Sequence, residues 1–281
     1  MCIALIAHDA HPVYSLIVAA NRDEFHARPT VPLAWWPDGI LAGRDLVGGG
    51  TWMGTHRSGR IALLTNFRDG KPRDPAARSR GELVVTALAS KRTPQRLLSN
   101  VLSSSDDYQG FTLIAGKPGD LYYTSNRNWM VKRVPSGVSG LSNNFLDTPW
   151  PKVERAKQKL KDAIADPSVE PETLFALLRD ATPAADSELP DTGIAIELER
   201  LLSSPFIIGG NYGTRSSSVL LVNRIGGGEM IERSFDAQGE TTGEVRLSFS
   251  AGHLVRSDVE GAAAATVGPE AAGAVMPGNS A

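Results

Sequence analysis

Cysteine occurs once in the 281 residues, at Cys2. No intramolecular disulfide can form, so the chain fits a reducing compartment and the cytoplasm is its expected location. An excess of either charge is missing too, with 29 basic residues against 31 acidic ones. That balance lacks the basic footprint of a nucleic-acid binder. Long apolar runs are also absent: nothing approaches the roughly 18 residues of a membrane span. The opening stretch Met1-Cys2-Ile3-Ala4-Leu5-Ile6-Ala7-His8-Asp9 has no basic region and turns polar at His8. Neither a signal peptide nor a lipid-anchored cysteine is expected from it. The five histidines, His8, His11, His26, His56 and His253, show no helical i, i+3 or i, i+4 pairing. No metal site and no other resident cofactor is expected. Gly48-Gly49-Gly50 lacks the Gly-Lys-Ser/Thr ending and the following helix of a phosphate loop.

What is present is a mixture of strand and helix periodicities in blocks. Cys2 to Ala7 and Tyr14 to Ala20 are apolar throughout and read as two buried strands of a hairpin, with His8 to Pro12 as the turn. Asn21-Arg22-Asp23-Glu24 follows at the end of the second strand. Short strands are expected at Ile40–Leu41, Thr51–Thr55 and Ile61–Thr65. Ser79-Arg80-Gly81-Glu82 has the spacing of a capping box, and Thr93-Pro94 that of an N-cap with proline at the first helical position. Strands return at Phe111–Ala115, Leu121–Thr124, Val131–Val134 and Ser139–Leu141. A helix opened by Pro149 or Pro151 follows, then another over Pro171–Ala181. The acidic segment Thr182–Pro205 reads as a mobile loop. Strands at Ser217–Val222, Met230–Phe235 and Glu244–Ser250 close the pattern. The Ala/Gly-rich residues 251–281 lack the apolar surface to offset their conformational entropy and read as a disordered tail. A single domain over residues 1–250 is expected, of mixed α/β layers.

The chemistry centres on Cys2. Methionine aminopeptidases remove Met1 ahead of a small residue, which leaves a thiol and a free α-amine on one residue. The thiol is a nucleophile with a reference pKa of about 8.5, and the amine is a base of about 7.7–8. A nucleophile and its base in one residue is the arrangement of N-terminal-nucleophile hydrolases. The competing reading is a small buried hydrophobe at the start of a strand. If the two strands form a hairpin, Asn21–Glu24 lie beside Cys2. Asp23 is then placed to accept from the amine, and Arg22 to lower the thiol pKa through space; the alternative is a polar turn with local ion pairs. Asn66 and Asn143 each end an apolar run, where a neutral amide suits an oxyanion, although asparagine is equally a common turn residue. Arg215 is placed to pair with Asp23 or to bind a carboxylate in two-pronged fashion. Trp35, Trp36 and Trp52 line an apolar pocket or belong to plain core.

Taken in order, these motifs resemble a known family. Met1-Cys2-Ile3, Ala19-Ala20-Asn21-Arg22-Asp23-Glu24-Phe25, Gly49-Gly50-Thr51-Trp52, Leu64-Thr65-Asn66-Phe67, Gly140-Leu141-Ser142-Asn143, Thr148-Pro149-Trp150-Pro151-Lys152 and Tyr212-Gly213-Thr214-Arg215 are similar to the NRDE proteins, also called the transport-and-Golgi-organisation family. The resemblance covers roughly residues 1–250. It implies an α+β fold, a four-layer αββα sandwich of mostly antiparallel sheets like the N-terminal-nucleophile hydrolases. By further analogy it resembles the penicillin acylase and bile-salt hydrolase branch. That branch implies catalytic roles for Cys2, Arg22, Asp23, Asn66, Asn143 and Arg215; Asn21, Glu24 and Trp52 are expected around the substrate. There the arginine and aspartate are separated by two residues, whereas Arg22 and Asp23 are adjacent. Adjacent strand residues point to opposite faces, so both cannot face Cys2 unless the backbone bends there, and Glu24, on Arg22's face, competes with Asp23. The expected activity is hydrolysis of a linear carbon–nitrogen bond in a small molecule. The alternative is a non-catalytic carrier of haem or an acyl-type ligand, since family members are associated with haem and lipid handling. The oligomeric state is left open.

Overall fold

The computed structural model describes residues 2–72 and 74–250. The first third supplies strands β1 (Cys2–His8), β2 (Tyr14–Phe25), β3 (Thr30–Trp35), β4 (Ile40–Asp45), β5 (Met53–His56) and β6 (Ile61–Asn66). Helices α1 (Gly81–Ala89) and α2 (Pro94–Ser103) follow, then β7 (Phe111–Lys117), β8 (Asp120–Ser125), β9 (Met130–Arg133) and β10 (Gly137–Leu141). Helices α3 (Pro151–Ile164), α4 (Pro171–Leu178) and α5 (Ile196–Leu201) precede β11 (Tyr212–Asn223), β12 (Gly228–Phe235) and β13 (Thr241–Phe249).

The strands form two antiparallel sheets. One runs β10-β1-β2-β11-β12-β13 and the other β3-β4-β5-β6-β7-β8-β9. Period-2 alternation assigns each strand residue to a layer. Ala4, Ile6, Val18 and Leu220 of the first sheet meet Leu63 and Ile114 of the second in a shared core. On the first sheet's other face, Ile3, Leu5, Ile17 and Val219 pack on Val153 and Leu160 of α3 and Leu174 of α4. On the far side, Ala62, Leu64 and Leu113 pack on Val84 and Leu88 of α1 and Leu98 of α2. The result is a four-layer αββα sandwich. Both faces of each sheet are covered, which is why β1 and β6 read as continuous apolar runs rather than alternating ones. No helix of the described residues is long and apolar enough to cross a membrane.

The structure departs from the sequence-based expectation at several elements. The hairpin forms, with Cys2 opposite Arg22 and Leu5 opposite Ala19. Strand β2 nevertheless runs to Phe25, so Asn21–Glu24 lie inside a strand and not in a turn. The reason is non-local: β11 pairs with β2 as far as Tyr212 opposite Phe25 and supplies the ladder for these polar residues. The expected capping box at Ser79 does not form. Arg80 is the N-cap, without a side-chain bond, and the Glu82 carboxylate takes the Tyr108 hydroxyl and Arg78 instead. Thr93 does cap α2, accepting from Arg96 N. Strand β3 was not anticipated. Thr182–Pro205 contains a 3-10 turn at Asp186–Glu188 and helix α5, so it is no structureless loop. The expected tail at 251–281 lies outside the described residues.

Candidate active site

Cys2 is half-buried at the start of β1. Even-numbered residues of β1 and β2 face the second sheet, so Arg22, the register partner of Cys2, shares its face. Both line a cleft of about 540 Å³ at this end of the sandwich, with Glu24, Trp52, Asn66, Arg215 and Glu232 among its walls. Burial pushes the Cys2 thiol up, and the Asp23 carboxylate adds to this, while the Asp23 backbone amide and the Arg22 guanidinium act the other way. A thiol in that setting stays protonated near neutrality unless a base beside it takes the proton.

Arg22 is held from outside. Its guanidinium reaches Asp45 Oδ2 at 3.5 Å and Glu24 Oε2 at 3.9 Å. Arg28 Nε binds the same Asp45 oxygen at 2.7 Å. Asp45 Oδ1 accepts from the amides of Val47 and Gly48 at 2.9 and 3.0 Å. Burial alone would raise the Asp45 carboxyl, but Arg28 and those two amides outweigh it and hold it below the usual carboxylate range. This closes the 45–50 loop into a rigid cleft wall. Gly50 lets that wall meet α1, because a Cβ there would lie 2.5 Å from the Gly81 carbonyl carbon.

Odd-numbered residues of β2 point to the helix layer. Asn21 is fully buried there. Its Nδ2 donates to the carbonyls of Leu178 and Pro205, both at 2.9 Å, and its Oδ1 accepts from Ser217 Oγ at 2.6 Å. The expected part of Asn21 in substrate binding is therefore corrected: it sits on the wrong face with its amide engaged, and it ties down the 179–211 connection. Asp23 occupies the same buried face, and Thr214 Oγ1 donates to its Oδ1 at 2.7 Å. Desolvation pushes the Asp23 carboxyl up to about 6 against the lowering effect of Lys152. Asp23 nevertheless contributes to the cleft lining.

The expected Asp23–Arg215 pair does not form. Arg215 is the extra residue of a bulge between Thr214 and Ser216, which takes it out of register with Asp23 and leaves it in the cleft wall. Its Nη1 donates to the carbonyls of Phe25, His26 and Arg28. The two asparagines part company. Asn66 lines the cleft, and its side-chain amide has no hydrogen-bond partner among the described residues. Asn143 is fully buried in a left-handed conformation with φ of 56°. Its Nδ2 donates to the Asn66 carbonyl at 3.0 Å, while neighbouring Ser142 Oγ donates to the Cys2 carbonyl at 3.0 Å. Asn143 thus holds the backbone of Asn66 and Ser142 that of Cys2.

Two charged residues of this region escaped the sequence reading. Glu232 lines the cleft floor as a nearly buried carboxylate whose Oε1 accepts from Leu33 N at 2.9 Å; burial raises its pKa. Alternation with Met230 in an apolar strand was a signal for it. Lys152 is buried in the first turn of α3, where nothing in the local sequence marks it as buried.

The fold and cleft define an αββα-sandwich protein built around a cysteine at the second position, with an arginine opposite it on the next strand. A family model described as Transport and Golgi organisation 2 matches residues 1–237, and the chain belongs to that family. The Transport and Golgi organization 2 homolog of Mus musculus is 33% identical over 257 residues, covering 83% of this chain and 93% of its own length. The Bos taurus homolog is 35% identical over 258 residues, with 83% and 93% covered. Among solved structures, the Caenorhabditis elegans N-acylethanolamine-hydrolyzing acid amidase ortholog is similar with a TM-score of 0.46 and 11% identity, covering 78% of this chain and 92% of that one.

Proposed function

We propose that the protein is an N-terminal-cysteine hydrolase of a linear amide bond in a small molecule. The observation that carries this is Cys2 at the cleft edge with Arg22 as its register partner. Among the described residues no histidine lines that cleft, so none of them offers the usual partner base of a thiol. The α-amine exposed on removal of Met1 then serves as base. It takes the thiol proton, and the thiolate attacks the amide carbonyl carbon. The Asn66 amide donates to the resulting oxyanion. As the tetrahedral intermediate collapses, the ammonium returns its proton to the leaving nitrogen and the C–N bond breaks. Water, deprotonated by the same amine, releases the acyl group from the thioester.

The test has three parts. Intact mass must show loss of Met1. Iodoacetamide must label Cys2 at the mature terminus. A panel of N-acyl amides must include one that is turned over by the native protein and not by Cys2→Ala. Retention of Met1 removes the base and ends this reading.

Among the described residues six arginines, at positions 22, 28, 44, 78, 80 and 215, line the cleft together with five carboxylates, of Asp23, Glu24, Asp45, Asp74 and Glu232. A second reading is a carrier of haem or an acyl-type ligand, whose carboxylates would compete with those side chains for the arginines. Of the side chains that hold haem iron, the described residues of this cleft offer Cys2 and Tyr212 and neither histidine nor methionine; Cys2 would hold the haem there. Haemin titration followed at the Soret band separates the two readings, because a carrier loses its thiolate signature in Cys2→Ser without any amide ever being cleaved.

A further inference from the structure

The cross-strand register lays the cleft floor out in rows. On the face turned to the second sheet, Cys2, Arg22, Ser216 and Ser234 stand opposite one another across β1, β2, β11 and β12. One row further in come Ala4, Ala20, Ser218 and Glu232. Alanine and serine keep that inner row low, and Glu232 is its one long side chain. Neighbouring strands are about 4.8 Å apart, so Glu232 stands three strands, or about 14 Å, across the sheet from Cys2. Two other carboxylates of the cleft, Glu24 and Asp45, are paired with Arg22 and Arg28. Glu232 is 7% exposed, lines the cleft, and has no ion pair among the described residues. Its Oε1 accepts from Leu33 N at 2.9 Å. Its Oε2 lies toward Gly43, where a Cβ would stand 3.2 Å from it and 3.3 Å from the Val31 carbonyl oxygen. The bare backbone at Gly43 thus leaves a gap in the cleft wall bordered by a carboxylate and a carbonyl. A glutamine would accept the Leu33 bond without burying a charge, so the tie between the sheets does not require a carboxylate.

We propose that Glu232 sets the specificity of the cleft by receiving a cationic nitrogen, so that the substrate is an amide carrying an ammonium group about 14 Å from the bond cleaved at Cys2. This rests on the reading of Cys2 as the nucleophile of an amide hydrolase. A buried carboxylate without a counter-charge gains a charge-assisted hydrogen bond when an ammonium enters the gap, and the ligand supplies the pairing that the free protein lacks. The hydroxyls of Ser216 and Ser218 face the same carboxylate and can turn to donate or accept. Between the two ends the arm of the substrate crosses Arg22 and then Ser216. Arg22 has its own counter-charges in Asp45 at 3.5 Å and Glu24 at 3.9 Å. An ammonium carried one strand from Cys2 would sit against that guanidinium and be repelled, whereas one carried three strands away meets Glu232. The place of the charge along the arm therefore decides which amides fit.

The first experiment needs no turnover. Calorimetry follows the binding of 1,8-diaminooctane, which has no amide to cleave, beside 1,8-octanediol, its uncharged twin. Saturable binding of the diamine and not of the diol is expected. Glu232→Gln keeps an oxygen for Leu33 N and is expected to weaken the diamine about tenfold, the loss of one charge-assisted hydrogen bond. Gly43→Ala, whose Cβ intrudes on Oε2, is expected to weaken it too and carries the test if Glu232→Gln does not fold. Equal binding of the diol, no saturable binding, or an affinity unchanged in the folded variant overturns the proposal. The second experiment compares N-(8-aminooctyl)acetamide with N-octylacetamide and with N-(2-aminoethyl)acetamide, whose charge falls short of β12. The first is expected to have the highest kcat/KM, and its advantage over N-octylacetamide to shrink about tenfold in Glu232→Gln. Turnover of all three without that advantage defeats the specificity role alone. Diamine binding that depends on Glu232, with no amide cleaved, defeats the hydrolase reading alone.

Discussion

Replacing Asp45 by alanine tests whether the cleft wall is held by one carboxylate. The substitution removes two backbone N–H acceptances at 2.9 and 3.0 Å and the Arg28 bond at 2.7 Å. Hydrogen bonds to a charged acceptor contribute about 1 kcal/mol or more each. Glu24 stands 3.7 Å from Arg28 and 3.9 Å from Arg22 and recovers part of the ion pairing. The expected loss is about 3 kcal/mol, or a fall in Tm of about 6–12 °C for a domain of this size. Asp45→Asn keeps the loop-closing oxygen and loses only the charge, so about half the effect is expected. The pH dependence fixes the sign. The fold lowers the Asp45 pKa, so its contribution is present above the unfolded value of about 3.9 and lost as pH falls through the folded one. The gap between native protein and Asp45→Ala therefore narrows under acid. Calorimetry at neutral and acidic pH measures it. A fall in Tm below about 2 °C at pH 7, or a gap that stays constant into acid, refutes the account.

Asn21→Ala strands two buried carbonyls, of Leu178 and Pro205, and the Ser217 hydroxyl; an unfolding free energy lower by about 2–4 kcal/mol is expected from urea denaturation. Asp23 and Lys152 are each least favourable to the fold when charged. The Asp23 contribution is present below about 3.9 and lost as pH rises through about 6, and that of Lys152 is present above about 10.4 and lost as pH falls through about 8. Between pH 6 and 8 both are charged, so Asp23→Asn/Lys152→Met is expected to melt above the native protein at pH 7. A lower melting point there shows that the pair stabilises the fold.

The layered fold was legible because its strands are apolar on both faces and its helices carry proline and threonine at their starts. Two elements were not, for opposite reasons. Strand β2 continues through Asn21–Glu24 because β11, nearly two hundred residues away in sequence, pairs with it; no local pattern carries that information. Helix α5 inverts the rule by which helices are recognised. Its buried residue is Glu199, paired with Arg68, while Ile196 and Leu198 are 45% and 48% exposed. Lys152 likewise reads as a solvated residue of a helix start, and only its tertiary surroundings reveal otherwise.

The opposite facing of Arg22 and Asp23 was legible from strand alternation, but which of the two shares the face of Cys2 was not. The register of a single strand decides it. Leu16, Val18 and Ala20 face the second sheet, and Ile17 and Ala19 face the helices. This apolar alternation fixes which way the next four polar residues point. Arg22 therefore enters the cleft beside Cys2, and Asp23 the buried helix side of the sheet. A slip of one residue against β1 would exchange them. It would bury a guanidinium on the helix side and place a carboxylate against the thiol, raising the thiol pKa further. Adjacent arginine and aspartate thus lie on opposite sides of the sheet beside Cys2, which a spacing that kept both on one face could not do.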